Sequence, residues 1–303
     1  MKPLDVVVIG NVGIDTQVYL RTPDIDFDVE ANFTENLDCL GQAGGYAARG
    51  YARLGKRTGF IGHVGDDCGG RTIRDTFDRD GIDRRGLFTD PAGTARSVNF
   101  MFPDGRRKNF YDGKGHASLR PDPVICAEVL DGARLVHFNL PDWARTLLPV
   151  ARRLGATVAC DLQDLVTLDD SYRRDFIDAS DILFFSLANH PDPAPIIRGL
   201  LKGRPGRIVV CGMGARGCAM GTAEGVRFFP PVPFEAPVVD SNGAGDSLAV
   251  GFLSSYVLTG ASLEDSLLKG QIAARHACTL RADSSNLIQP ADLERHFHRL
   301  RRR

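Results

Sequence analysis

The seven cysteines of this 303-residue chain (39, 68, 126, 160, 211, 218 and 278) include no C-x-x-C pair, and their number is odd. That argues against a disulfide framework and against a zinc ribbon. Cys160 and Cys211 sit inside apolar runs and read as small buried hydrophobes, which suits a reducing, cytoplasmic setting. A surplus of either charge is also missing: 37 basic residues face 38 acidic ones. Nucleic-acid and membrane-surface binders need a positive surplus, so neither partner is expected. No apolar run is long enough to span a bilayer, and Val6–Ile9 is too short for the core of a signal peptide. The one charge block, Arg299 to Arg303, reads as a solvated helix end or frayed tail. The histidines show no metal-ligand spacing; His116, in Gly113-Lys-Gly-His, is the one that could touch a small-molecule ligand.

What is present is ordinary globular composition, 43% hydrophobic and 25% charged. The length suits one large domain with room for a small accessory one. Val6–Ile9, Thr58–Ile61, Leu135–Phe138, Thr157–Cys160, Ile182–Phe185 and Ile208–Cys211 have the length of buried strands. Helix-like segments alternate with them: Gly45–Leu54, Arg71–Arg79, Trp143–Leu154, Tyr172–Ala179 and Pro195–Leu201. The last third turns helical at Gly245–Leu258, Leu263–Cys278 and Ala291–Leu300. The reading is an α/β fold of three layers, a mostly parallel central sheet with helices on both faces. Two stretches break the rhythm. Residues 16–40 are polar without a good helix, and 94–115 hold a hairpin around Asp104-Gly105. Together they predict a small separate sheet. Its aromatics, Phe27, Phe33, Phe100, Phe102, Phe110 and Tyr111, either close over a ligand or pack that sheet's back face.

Three glycine-rich segments are candidates for phosphate binding. Gly50 to Arg57 nearly matches a P-loop, but Arg57 stands where Ser or Thr is needed, so a helix ending at a Gly cap is the better reading. Gly212-Met-Gly214-Ala-Arg-Gly217 is a literal G-x-G-x-x-G. A dinucleotide site needs a helix directly after it, whereas Cys218–Met220 and Val226–Phe229 read as a hairpin. That excludes NAD but leaves a backbone lining for part of a nucleotide. The third, Asp240-Ser-Asn-Gly243-Ala-Gly245-Asp246, follows an extended Pro-rich connector and opens a helix. First-turn amides lack intrahelical partners, and the helix dipole adds positive potential there, so this is an anion site. A carboxylate in such a place repels phosphate unless it accepts a proton from an attacking hydroxyl.

This third segment resembles the C-terminal signature of the PfkB (ribokinase-like) family of small-molecule kinases. Gly10-Asn-Val-Gly-Ile-Asp15 resembles its first strand and substrate-binding aspartate, and Gly41-Gln-Ala-Gly44-Gly45-Tyr46 its N-terminal glycine-rich signature. The resemblance covers nearly the whole chain. It implies one ribokinase-like domain, 1–303, whose insertions 16–40 and 94–115 form a lid. It implies Asp246 as general base and Gly243, Ala244 and Gly245 as the anion hole. Asp15, Gly44, Gly45 and Tyr46 would meet the acceptor, and Gly212, Gly214 and Gly217 the nucleotide. ATP and Mg2+ are the implied cofactors, and Asp240 and Asn242 would shape a monovalent-cation (K+) site. Three departures stand out. Tyr46 replaces the usual Asn, Ser186-Leu-Ala-Asn189 replaces N-x-x-E, and Gly212 replaces Thr.

The expected activity is transfer of the γ-phosphate of ATP to a hydroxyl of a sugar-like molecule. Tyr46 and the lid aromatics leave a nucleoside acceptor open. Arg106-Arg107-Lys108 leaves a sugar phosphate open. The missing carboxylate at 189 leaves open a non-catalytic sensor on the same fold. Exposed lid edges suit a homodimer.

Overall fold

A computed structural model describes residues 3–281 and 283–301. The strands β1 (Val6–Ile9), β4 (Thr58–Val64), β5 (Asp83–Thr89), β8 (Leu135–Phe138), β9 (Thr157–Asp161), β10 (Ile182–Ser186) and β11 (Ile208–Gly212) form a parallel array. It is extended by the antiparallel hairpin β12 (Cys218–Thr222) and β13 (Gly225–Phe229). The order across this nine-stranded sheet is β13-β12-β11-β10-β9-β8-β1-β4-β5.

Successive side chains of a strand point to opposite faces, and here both faces are dry. Val6 and Val8 of β1 enter one core, Val7 and Ile9 the other. Ile182 and Phe184 of β10 divide from Leu183 and Phe185 in the same way. The first core is closed by α1 (Gln42–Arg53), α2 (Cys68–Arg79), α7 (Ala244–Thr259) and α8 (Leu263–Ala277). The second is closed by α3 (Pro123–Leu130), α4 (Leu148–Arg153), α5 (Arg174–Ala179) and α6 (Ala194–Leu201). α9 (Pro290–Arg301) packs Leu293 and Phe297 against α8. This is the three-layer α/β architecture expected from the alternating runs.

The two irregular stretches supply a second sheet, in the order β3-β2-β6-β7. Its strands are β2 (Gly13–Leu20), β3 (Thr34–Gly41), β6 (Arg96–Met101) and β7 (Arg107–Asp112). Asp15 therefore lies on β2 of the small sheet, not on the first strand. Residues 10–12 only connect the two sheets.

Sequence periodicity missed two elements. β5 reads Asp-Arg-Arg-Gly-Leu-Phe-Thr, mostly half-exposed, because it is the edge strand of the large sheet. α3 is almost wholly apolar and lacks helical alternation, so only its start signal gives it away. Asp122 caps the Val124 and Ile125 amides, and Pro123 occupies the first turn. The C-terminal charge block is helical as far as Arg301, and its last two arginines lie outside the described residues.

One residue roots the small sheet in the large one. Asp67 caps α2 by accepting from the Gly70 amide at 2.8 Å, and accepts from both the amide (2.8 Å) and the hydroxyl (2.5 Å) of Thr94, just before β6. Burial alone would raise its pKa, but these donors outweigh it and hold the carboxyl at about 2. A depressed carboxylate contributes stability that is present above its unfolded value and lost as pH falls towards 2. Asp67→Ala is expected to lower unfolding free energy in urea by about 1–3 kcal/mol at pH 7. The difference should shrink as pH approaches 2, and an unchanged urea midpoint at pH 7 would remove this anchor role.

Candidate active site

The site is built at the carboxyl ends of the parallel strands, where helix N-termini converge. α7 begins after Gly243, whose backbone is left-handed at φ 71°. A Cβ there would come within 2.7 Å of the Tyr46 ring, so glycine is required by both conformation and space. The amides then fall as the dipole argument requires, with one exception. The N–H groups of Gly243 and Gly245 have no acceptor among the described residues, whereas Ala244 donates to the Ser241 carbonyl at 3.3 Å. Regular helical bonding resumes with Ser247 donating to the Gly243 carbonyl. Two of the three expected hole amides are therefore open, and the third makes a long bond.

Asp246 stands in the first turn of α7. Burial pushes its carboxyl up to about 8, helped by the nearby charges of Asp161 and Asp15 and opposed by its own amide and by Arg107. Asp161, at the carboxyl end of β9, is itself raised to about 6 by burial. No sequence motif marks Asp161. Its signal was position, a carboxylate closing an apolar parallel strand. Asn189 shows why a carboxylate elsewhere matters: its side-chain amide is spent on the Asp164 carbonyl at 2.8 Å.

The inward face of the small sheet adds a polar surface. Register places three rows across β2, β6 and β7: Asp15–Ser97–Tyr111, Gln17–Asn99–Asn109 and Tyr19–Met101–Arg107. Asp15, Gln17, Ser97 and Asn99 are buried, so the face is a polar lining. One Asp15 oxygen accepts from the Gln42 amide at 3.2 Å, while the other is buried without a partner. Burial lifts this carboxyl to about 6 against the bond from the Gln42 amide and the influence of the neighbouring Ser97 hydroxyl. Gln42 adopts φ 63°, an uncommon backbone for a residue with a side chain, and its buried amide group lacks a partner, as does that of Asn139. Asn139 crowds Gly10, and Gln42 crowds Gly13, where a Cβ would fall within 2.3 and 2.4 Å of them. Orphaned buried polar groups of this kind are uncommon and mark a place where a ligand could supply the missing partners.

The remaining candidates take more particular places. Gly44 and Gly45 let α1 approach the connector, and the Gly45 amide is taken by the Asn11 carbonyl at 3.2 Å. Tyr46 is buried with its ring against Gly243 and its hydroxyl unpartnered, so it buttresses the hole from beneath. Asp240 accepts from the Tyr19 hydroxyl (2.9 Å) and the Asn242 amide (2.8 Å), and the Asn242 side chain donates to Gln17 (3.1 Å). These bonds brace the loop before α7 against β2. Gly212 ends β11 opposite Ser186, and Gly214 (φ 57°) opens the turn after it with free space around it. Gly217 has a structural reason of its own: a Cβ would lie 2.2 Å from the Phe229 carbonyl oxygen. Of the lid aromatics, Tyr111 alone is registered on the inward face. Phe100 and Phe110 meet edge-to-face on the other side, 5.6 Å apart, and Phe27 and Phe33 are exposed.

Residues 4–289 match the pfkB family carbohydrate kinase. The chain belongs to the PfkB family of carbohydrate kinases. It is 35% identical to acarbose 7(IV)-phosphotransferase of Actinoplanes sp., over 96% of this chain and 97% of that protein. Among solved structures it superposes on a microbiome-derived acarbose kinase with a TM-score of 0.88 at 29% identity, covering 98% and 100% of the two chains. Arabidopsis thaliana ribokinase, complexed with ribose and ATP, shares the fold at a TM-score of 0.81 and 20% identity, covering 97% and 99%. The carbohydrate-kinase expectation holds, and the sensor reading gives way to an enzyme. Among the described residues no helix is long and apolar enough to cross a membrane.

The raised carboxyl of Asp246 makes a prediction that needs no substrate. The folded state keeps this proton well above pH 4, where the unfolded chain has lost it, so wild-type stability falls as pH rises from about 4 to about 8. Asp246→Asn abolishes that titration. Its melting temperature should exceed the wild-type value by a margin that grows from pH 5 to pH 8. A constant difference across that range would show that the carboxyl titrates normally.

Proposed function

We propose that this enzyme transfers the γ-phosphoryl group of ATP to a hydroxyl of a carbohydrate with more than one ring. The observation that carries the reading is the pairing of unpartnered Gly243 and Gly245 amides with the desolvated carboxyl of Asp246 in one helical turn. Asp246 in its ionised form would accept the proton of the attacking hydroxyl; the raised pKa makes that carboxylate a stronger base than an ordinary one while lowering the fraction ionised near neutrality. The two amides, with that of Ala244 once released from Ser241, would stabilise charge on the transferring group. Asp15, with Gln42 and Asn139, would fix the acceptor's hydroxyls. The turn at Gly212, Gly214 and Gly217 would line the nucleotide. The small sheet would act as a lid over the 1–303 domain.

The donor set fits Mg2+, which is commonly held by one or two carboxylates plus phosphate oxygens and water. Asp161 is the group that would hold it, in place of the carboxylate missing at 189, and the ion would neutralise phosphate charge. A K+ beside the hole, shaped by Asp240 and Asn242, is supported by the burial of that carboxylate. The even charge balance supports a cytoplasmic setting without nucleic acid or membrane, and exposed Phe27 and Phe33 support a homodimer through the lid.

The oligosaccharide-like acceptor is favoured by the two acarbose-kinase relatives and by the long polar lid face. The nucleoside reading loses Tyr46, whose ring lies against Gly243, and of the small-sheet aromatics named for it keeps only Tyr111 on the inward face. The sugar-phosphate reading keeps one residue. Arg106 is paired with Asp104 at the hairpin tip and Lys108 faces outward, but Arg107 is registered inward. Coupled ADP-release assays with acarbose, D-fructose, D-ribose, ribose 1-phosphate and adenosine should give the highest kcat/KM with acarbose. A preference for adenosine would overturn the assignment. Asp246→Asn should lower turnover at least about 100-fold while leaving ATP affinity intact.

A further inference from the structure

Tyr111 ends the inward row that begins at Asp15, and its hydroxyl sits in a network whose hydrogens can be counted. The backbone amide of Asp142 donates to Nε2 of His116 at 2.8 Å. That nitrogen must therefore carry the lone pair, and the neutral ring bears its hydrogen on Nδ1. Nδ1 lies 3.2 Å from the Tyr111 oxygen and donates to it. The side-chain amide of Asn11 donates to the same oxygen at 2.7 Å. The 3.4 Å approach of Asn11 Nδ2 to His116 Nδ1 is then a contact between two donors and not a bond. A phenol oxygen has two acceptor sites and one hydrogen. Both acceptor sites are filled by residues of the large domain, so only the hydrogen remains to be placed. No described residue accepts it. Tyr111 is 47% exposed as a whole, so this hydrogen faces open space; partial desolvation of the phenol raises its pKa and the hydrogen is retained near neutrality.

We propose that Tyr111 is a specificity contact whose hydroxyl donates one hydrogen bond to an oxygen of the bound carbohydrate, with Asn11 and His116 acting as positioning residues that fix this direction. The inference rests on the carbohydrate-kinase reading and adds the direction of one bond. It also explains how a strand of the small sheet finds the base of the site. β7 is tied down to the connector after β1 through the same oxygen that meets the ligand, so lid placement and acceptor recognition share one atom. A sugar presenting a hydroxyl, ether or ring oxygen there satisfies the donor. A sugar presenting a bare carbon leaves it unpaired.

The test uses the full chain. Acarbose binding is measured by calorimetry for the wild type and Tyr111→Phe, with ATP affinity and melting temperature measured alongside. Loss of one neutral hydrogen bond should weaken acarbose binding about 3- to 10-fold and leave ATP affinity unchanged. His116→Phe should weaken it less in the wild-type background and add nothing in the Tyr111→Phe background, as expected of a residue acting through another. Deoxy and deoxyfluoro analogues of the best acceptor, scanned around its ring, read the direction independently of any variant. At one position the fluoro sugar, which accepts but does not donate, should bind the wild type better than the deoxy sugar. Equal acarbose binding by wild type and Tyr111→Phe overturns the proposal, as does equal weakening by deoxy and fluoro analogues at every position. If the wild type phosphorylates no carbohydrate, the acceptor reading fails instead, and it takes this inference with it.

Discussion

The structure depends on a helix start that cannot satisfy itself. The first turn of α7 follows a glycine held at φ 71°, and this leaves the Gly243 and Gly245 amides open while placing Asp246 one step further on. Open donors attract an anion, and a carboxylate beside them repels it. Burial eases the conflict by keeping Asp246 protonated near neutrality.

Much of the surrounding sequence serves to hold that turn in place. Tyr46 fills the space under Gly243 that a smaller side chain would leave empty. Asp240 and Asn242, bonded to Tyr19 and Gln17, fasten the preceding loop to β2. The connector after β1, the start of α1 and the start of α7 thus meet at one place, and the small sheet is joined to all three. In a small sheet braced in this way the inward polar residues are set by strand pairing and not by loop conformation.

Two residues show the limits of reading chemistry from spacing. The N-x-x-E pattern fails at Asn189, which on sequence alone weakens the case for catalysis. The structure places Asp161 near Asp246, on a different strand from the one that precedes Asn189, and its charge helps to raise the Asp246 pKa. Tyr46 shows the converse. As a motif departure it suggested an aromatic face for a nucleobase, yet packing has consumed that face.

The sequence by itself determined the layered α/β fold, the small sheet, the loop-to-helix anion site and the identity of Asp246 as its carboxylate. These depend on local patterns: apolar runs of strand length, helix-start residues and glycines whose backbone freedom has no substitute. Tertiary structure alone decided which side chains of the small sheet face the site, which aromatics face away, and that Asp15, Asp161 and Asp246 share one field. Strand register and the meeting of chain ends more than 80 residues apart set those relations, and no periodicity within one segment encodes the partner it will meet.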